Sequence, residues 1–149
     1  PSRYMASSVP PLILGLDHAA VGVRDLSRSL EWYSKVLGME HVLQDDPMFN
    51  GAIAMAGIRG EPLLALLRLP EGEEPLKGSR EQRAHFALRT SPHDFAAWRE
   101  KLPELLQSHR AHEAQSLWLE EQDYGRQRSL FFQDPDDNEI EVTAWFRPP

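Results

Sequence analysis

Three side chains in this 149-residue sequence could together hold a metal ion: His18, His85 and Glu141. Each lies in a short segment of alternating apolar and polar residues, a pattern typical of a β-strand. Two imidazoles and one carboxylate form a facial triad that suits Fe(II) or a similar divalent ion and leaves coordination positions open for a substrate. These residue types therefore predict metal-assisted chemistry on a small molecule.

Alternation along the strands decides whether the three side chains can share a cavity. Glu141 lies on the face opposite Val142, and His85 lies on the face opposite Phe86. Taken singly, each candidate is more often an ordinary half-buried histidine or an exposed glutamate. Because they occur at matching places in two similar halves of the chain, we favour a shared site with His18.

The order strand, helix, three strands is predicted twice. In the first half, Asp25 or Ser27 caps a helix that Gly38 ends; in the second half, Ser91 caps a helix that begins with Pro92 and has a kink or break near Pro103. The strands are predicted, in chain order, at residues 12–23, 40–44, 50–55, 62–69, 82–90, 117–122, 129–133 and 139–146.

Domain boundaries follow from this repeat. Residues 1–11 form an N-terminal extension, which we exclude from fold reasoning, and residues 12–70 form the first module. Residues 71–81 lie in a segment rich in Pro, Gly and Glu and are predicted to link the halves. Residues 82–147 form the second module.

Composition limits the class of protein. With 41% hydrophobic residues the chain can bury the core of one domain or of two small modules. A formal charge of -7 without a dense Lys/Arg cluster argues against nucleic acid or an anionic membrane as partner, so a small-molecule partner is expected. The sequence has no cysteine, which fits a cytoplasmic protein, and no stretch as long as a membrane span.

Several motifs together resemble the vicinal oxygen chelate superfamily, which includes glyoxalase I, bleomycin-resistance proteins, fosfomycin-resistance enzymes and extradiol dioxygenases. The matching segments are Leu-Asp-His-Ala-Ala-Val at 16–21, Trp-Tyr at 32–33 ahead of Leu-Gly at 37–38, His-Phe-Ala-Leu at 85–88, and Phe-Phe-Gln-Asp-Pro-Asp-Asp-Asn-Glu-Ile-Glu at 131–141. The Asp-Pro-Asp run before the final glutamate is the most specific of them.

The resemblance implies an α+β fold of two paired βαβββ modules that form a curved mixed sheet around a metal-centred cavity. In the three-ligand members of the family, the metal is held at the positions of His18, His85 and Glu141. The resemblance also implies a homodimer. It leaves open whether His18 meets His85 of its own chain or of a partner.

One scaffold hosts several chemistries, so the family alone does not define the reaction. Differences between this chain and the family's subgroups indicate which reactions are favoured. Residues 63–67 lack the fourth ligand usual in glyoxalase I, and Ala20 replaces a threonine usual in fosfomycin-modifying enzymes. Ring-cleaving dioxygenases keep the three-ligand set. This chain has Tyr124 where they have an acid/base histidine and Phe131 where they have a tyrosine.

The sequence thus favours a divalent-metal enzyme of the dioxygenase type that acts on a substrate with vicinal oxygens, with Fe(II) preferred and Mn(II) or Zn(II) as alternatives. Tyr124 is the candidate proton donor. Phe49, Phe131 and Trp145 are candidate walls of the substrate cavity, and Arg59 could hold a carboxylate. Two alternatives stay open: a non-redox lyase, isomerase or thiol transferase, and a metal-free drug-binding protein.

Overall fold

The protein, seen in a computed structural model that describes residues 10–49, 51–75 and 84–147, contains two four-stranded sheets and two helices. The elements are β1 (Ala19–Val23), α1 (Leu26–Leu37), β2 (Glu40–Val42), β3 (Ile53–Ile58), β4 (Glu61–Arg68), β5 (His85–Arg89), α2 (Pro92–Ser108), β6 (Leu119–Asp123), β7 (Gln127–Gln133) and β8 (Glu139–Trp145).

Both sheets have the same topology. The strand orders are β1-β4-β3-β2 and β5-β8-β7-β6, and in each sheet the first strand pairs in parallel with the last while the other pairs are antiparallel. Each helix follows the first strand of its module in chain order and connects it to the second strand of the same module. This confirms the predicted α+β fold of two βαβββ modules.

Helix α1 has both predicted ends. The Asp25 side chain accepts a hydrogen bond from the backbone N–H of Arg28 at 2.9 Å, which satisfies one of the free N–H groups at the helix start. Gly38 ends the helix with φ of 67°, a left-handed conformation that glycine adopts without a steric penalty. Trp32 and Tyr33 lie on the buried face between these ends.

Helix α2 starts as predicted, with the Ser91 hydroxyl accepting the N–H of Asp94 at 3.0 Å. It does not break at Pro103, however, and continues to Ser108. Leu102 and Leu106, on either side of the proline, are almost fully buried. Their packing holds the last turns in helical form despite the backbone hydrogen bond that Pro103 cannot donate.

A single main core joins the two modules. It includes helix residues and strand residues from both halves, so neither module buries its apolar face alone. Its largest fully buried side chains are Tyr33, Phe95, Phe132, Leu64, Leu66, Leu102, Leu106, Leu130 and Ile140. Burial of large aliphatic and aromatic side chains of this kind is the main stabilising contribution to a fold.

The first strand is shorter than predicted. It begins at Ala19, which pairs with Leu64, and residues 12–18 belong to no strand. If the parallel register were continued backward, residue 17 would oppose Pro62, which has no N–H to donate. The segment before β1 lies exposed, with Leu12, Ile13, Leu14 and Leu16 between 84% and 94% accessible to solvent.

Other strand limits shift by a few residues. The second strand ends at Val42 because Leu43 has a positive φ of 56°, and the third runs from Ile53 to Ile58 rather than over 50–55. Residues 1–9 of the predicted extension and 76–81 of the predicted linker lie outside the described residues. Within the described part of the chain, no helix is long and apolar enough to cross a membrane.

Candidate metal and substrate site

The turn before β8 fixes where that strand starts. Asp134 Oδ1 accepts the backbone N–H groups of Asp136 and Asn138 at 2.8 and 2.9 Å. Asp137 takes a positive φ of 65° to close the turn. Asp and Asn side chains favour such turns because they bond their own backbone, and the predicted turn at 134–138 is confirmed.

Side chains of the first module bond to this turn. Asp136 Oδ1 lies 3.1 Å from Arg24 Nη1 and 3.2 Å from Arg28 Nη2, and the Tyr33 hydroxyl donates to Asp134 Oδ2 at 2.8 Å. Burial raises the pKa of Asp134 to about 6 and raises the pKa of Tyr33 well above its ordinary value. The two modules are therefore joined by buried polar groups as well as by the core.

His85 and Glu141 are brought together by the pairing of β5 with β8. His85 Nε2 lies 2.9 Å from Glu141 Oε2, and the His85 ring stacks edge-on against Phe131 with centroids 5.5 Å apart. Glu141 is 7% exposed, whereas the His85 side chain is 31% exposed. We call this side of the second sheet, which carries His85, Ser129, Glu141 and Thr143, the polar face.

A second set of polar groups surrounds Glu141. The Ser129 hydroxyl donates to Glu141 Oε1 at 2.5 Å and lies 2.9 Å from the Thr143 hydroxyl, which accepts from Gln127 Nε2 at 2.8 Å. These residues were not predicted as part of the site. Their alternation with Leu130 and Val142 on β7 and β8 is the sequence pattern that could have identified them.

His18 does not join the other two candidates. It lies just before β1, its side chain is 44% exposed, and its Nδ1 lies 2.6 Å from Asp17 Oδ1. Among the residues that the structure describes, no three His, Cys, Asp or Glu side chains come together as a cluster able to hold a metal ion. The chain by itself thus assembles two of the three predicted ligands.

The two assembled groups fit a divalent ion as part of its ligand set. Two ligand atoms bound at right angles, each about 2.1 Å from an ion, lie about 3 Å apart. The 2.9 Å between His85 Nε2 and Glu141 Oε2 is a hydrogen-bond distance that is also compatible with that separation. Imidazole nitrogen and carboxylate oxygen are also the donors that Fe(II), Mn(II) and Zn(II) accept. A third protein ligand would have to come from elsewhere.

Two of the predicted polar candidates lie in turns. Tyr124 is in the turn between β6 and β7, where its N–H donates to Gln127 O at 2.8 Å, and it is 60% exposed. Arg59 is exposed in the turn between β3 and β4, with a positive φ of 52°. Neither residue has a hydrogen bond or ion pair to the polar face among the contacts of the described residues.

The predicted apolar candidates lie in three places. Phe131 is buried against His85, and Trp145 is half-buried at the end of β8. Phe49 packs on a small apolar cluster of the first sheet, separate from the main core, whose buried members are Val42, Met55 and Ala65. Of these three, Phe131 has a ring contact with His85 in the part of the chain that the structure describes.

A cavity of about 840 Å³ opens where the edge strands β1 and β5 lie near each other. Its wall includes His85 and the β7–β8 turn. The lining residues are Ala19, Ala20, Val21, Gly22, Leu67, Leu69, Glu73, Glu74, Ala84, His85, Phe86, Gln133, Asp137, Asn138 and Glu139. This volume is within the range of small-molecule sites.

Residues 15–142 match the sequence model of the Glyoxalase/Bleomycin resistance protein/Dioxygenase superfamily. The match covers most of the chain, including both modules and all three predicted metal ligands. The chain therefore belongs to this superfamily, as its motifs predicted.

Solved structures of the same fold include metal-binding members. A glyoxalase/dioxygenase from Nostoc punctiforme is 19% identical, with 94% of this chain and 100% of that chain covered and a TM-score of 0.62. The fosfomycin resistance protein FosX from Mesorhizobium loti is 20% identical, with 89% and 93% covered and a TM-score of 0.55. FosX from Listeria monocytogenes, solved with Mn(II) and sulfate, is 16% identical, with 89% and 93% covered and a TM-score of 0.58. At these identities the likeness shows the fold.

Proposed function

We propose that this protein is a divalent-metal-dependent enzyme that acts on a small substrate with two vicinal oxygens. The observation that carries the proposal is the pairing of His85 with Glu141 on the polar face, at the separation of adjacent metal ligands. When bound, the ion would act as Lewis acid and as template for the substrate oxygens. His85 and Glu141 would hold it, while Phe131 shields one side of the His85 ring from water.

Fe(II) is the ion we favour, since two imidazoles and one carboxylate with open positions suit Fe(II) oxygenases. Mn(II) and Zn(II) are alternatives, and FosX from Listeria monocytogenes, which shares this fold, was solved with Mn(II). Titration of the metal-free protein with each ion, followed by calorimetry, ranks the three. We expect one site for each His85 and Glu141 pair.

We further propose that the third ligand is His18 of a second copy in a homodimer. The apolar side chains at positions 12, 13, 14 and 16 are almost fully exposed directly before His18, an arrangement that favours a partner surface. Among the described strands, β1 and β5 each pair with one neighbour and lie at the edge of their sheets. A segment added along β5 of another copy would approach His85.

Mixing two inactive variants tests this arrangement. His18→Ala and Glu141→Ala should each fail to bind the ion strongly. If sites are shared between chains, a mixed dimer has one intact site, so unfolding and refolding the variants together in equal amounts should restore about a quarter of wild-type sites. A site built within one chain would regain none. A monomeric mass by light scattering would also contradict the proposal.

The favoured reaction is of the dioxygenase type, because three protein ligands leave room for both a substrate and O₂. In this proposal Tyr124 donates a proton, Arg59 holds a substrate carboxylate, and Phe49 and Trp145 add apolar walls. Oxygen uptake by the Fe(II)-loaded protein with a panel of catechols measures this activity. Uptake that is absent with every catechol would overturn the dioxygenase assignment.

A non-redox reaction is the second candidate. The observation that favours it is the position of Tyr124, which is 60% exposed in the turn between β6 and β7, whereas ring cleavage needs an acid/base group at the substrate. Turnover of a vicinal-oxygen substrate under anaerobic conditions with Mn(II) would support a lyase, isomerase or thiol transferase. If the protein binds a ligand equally well with His85→Ala and without metal, the drug-binding alternative gains support.

A further inference from the structure

The geometry points to Ser129 and Thr143 as positioning residues that hold Glu141 Oε1 and so direct Oε2 toward an ion beside His85. This inference rests on the proposed function, because it concerns how the chain prepares one ligand of that site. Ser129 and Thr143 are direct partners across β7 and β8, and both are at most 5% exposed. Glu141 lies two residues before Thr143 on the same face.

Each hydroxyl has one proton to donate, which determines the direction of the hydrogen bonds around Glu141. An ionised carboxylate can only accept, so the Ser129 proton is committed to Glu141 Oε1 over the 2.5 Å contact. The Ser129 oxygen is then free to accept from Thr143 at 2.9 Å, and Thr143 accepts from Gln127 Nε2 at 2.8 Å. We call this sequence of donors, from Gln127 through Thr143 and Ser129 to Glu141, the donor chain.

Thr143 has a second acceptor within reach, the backbone oxygen of Arg128 at 3.1 Å. When its proton turns there, Ser129 keeps its bond to Glu141, so both arrangements hold the carboxylate. When its proton points to Ser129, every bond in the donor chain has the same direction. Such chains polarise one another and strengthen the last bond, which here ends on Glu141.

The two oxygens of Glu141 thus have different partners. Oε1 is taken by Ser129 and Oε2 lies 2.9 Å from His85 Nε2. Because a carboxylate that is fixed at one oxygen cannot rotate freely, Oε2 is presented in one orientation. Outer partners of this kind typically contribute about 10- to 100-fold to metal affinity. We therefore infer that the donor chain sets the direction in which Glu141 presents Oε2 to an ion.

The competing explanation is that these hydrogen bonds only satisfy buried polar groups and do not position Glu141. Substitutions at Thr143 distinguish the two explanations. Thr143→Val keeps the shape of the side chain and removes the hydroxyl, whereas Thr143→Ser keeps the hydroxyl and removes the methyl group. Ser129→Ala removes the donor to Glu141 itself. A purely structural role predicts lower thermal stability in Thr143→Val with unchanged metal affinity.

The experiment is a titration of each metal-free, full-length variant with Mn(II), in which electron paramagnetic resonance measures the free ion. We expect Ser129→Ala to bind Mn(II) at least about tenfold more weakly than wild type. Thr143→Val should lose several-fold, and Thr143→Ser should stay within about twofold. Thermal unfolding without metal reports folding of every variant. If Ser129→Ala does not fold, the two Thr143 variants decide.

Equal Mn(II) affinity in wild type, Ser129→Ala and Thr143→Val would overturn the donor chain as a positioning device and leave the metal site intact. Weakening by Thr143→Ser as large as that by Thr143→Val would also overturn it, because the methyl group would then be the cause. A wild-type protein that binds neither Mn(II) nor Fe(II) would instead overturn the proposed function, and this inference with it.

Discussion

The Tyr33 hydroxyl donates a 2.8 Å hydrogen bond to Asp134 Oδ2 and links α1 of the first module to the turn that starts β8 in the second. Both side chains are completely buried. Glu141 lies seven positions after Asp134, so the same contact that joins the modules also anchors the strand that presents the candidate ligand. One buried pair therefore contributes to both the fold and the site.

Replacing Tyr33 by phenylalanine tests that link. The change removes one of two donors to Asp134 Oδ2, which keeps a 2.9 Å hydrogen bond from Asn138 Nδ2, and leaves the ring in the core, so the cost is that of one lost hydrogen bond to a buried carboxyl group. We expect the free energy of unfolding to fall by about 1–3 kcal/mol. Urea unfolding measures it. Tyr124→Phe, at a site that is 60% exposed, is the control and should change stability by less than about 0.5 kcal/mol.

The pH dependence of stability should report the raised pKa of Asp134. Since burial raises this pKa to about 6 from an ordinary 3.8, the folded state keeps a proton between these values that the unfolded state has released. The contribution of Asp134 is therefore fully present below about pH 4 and is lost as the pH rises through about 6. The loss amounts to about 3 kcal/mol at most.

Asp134→Asn removes this titration. We expect the unfolding free energy of wild type minus that of the variant to fall between pH 4 and pH 7, as measured by urea unfolding at each pH. Subtraction cancels the other carboxylates, which titrate alike in both proteins. A difference that rises with pH over this range would mean that the pKa of Asp134 is lowered in the folded protein.

Local chemistry made much of this fold predictable. The Asp25 and Ser91 caps, the end of α1 at Gly38 and the turn at 134–138 each depend on residues within a few positions of one another, and all were found as predicted. The fold class followed from the repeat of these local patterns. The proximity of His85 and Glu141 required the pairing of β5 with β8, which the repeated topology also implied.

Features that depend on distant partners were not predictable in the same way. The sequence before Ala19 alternates as a strand would, yet within the described residues it pairs with no strand. Helix α2 passes Pro103 because Leu102 and Leu106 pack on the core, which periodicity alone does not reveal. The predicted role of His18 as a metal ligand likewise depends on partners distant from it in the sequence and stays a prediction.

Gly57 marks a point where β3 and β4 come too close for a side chain. The strand register shifts between Ala56 and Gly57, and a Cβ at Gly57 would lie 2.1 Å from the backbone oxygen of Glu61. We expect Gly57→Ala to lower the free energy of unfolding by about 1–3 kcal/mol, because backbone must move to relieve the clash. Thermal unfolding measures it.

Gly22→Ala is the matched control, since its Cβ would meet the flexible end of Leu69 at 2.8 Å rather than backbone. Its effect on stability should be clearly smaller than that of Gly57→Ala. Equal melting temperatures for Gly57→Ala and wild type would mean that the β3–β4 approach is looser than the structure has it.

Metal content gives the most direct test of the site. Protein purified without chelator or an affinity metal should contain close to one equivalent of iron or manganese per chain, measured by elemental analysis. Glu141→Ala and His85→Ala should each lose the metal, because removal of a ligand costs more affinity than the roughly 10- to 100-fold lost with an outer partner.

Glu121→Ala is the matched control. Glu121 is also a carboxylate of the second sheet but bonds Arg99 instead of His85, so the metal content of this variant should equal that of wild type. Absence of metal from all of these proteins, even after anaerobic reconstitution, would reduce the His85 and Glu141 contact to a structural hydrogen bond and favour a metal-free binding protein.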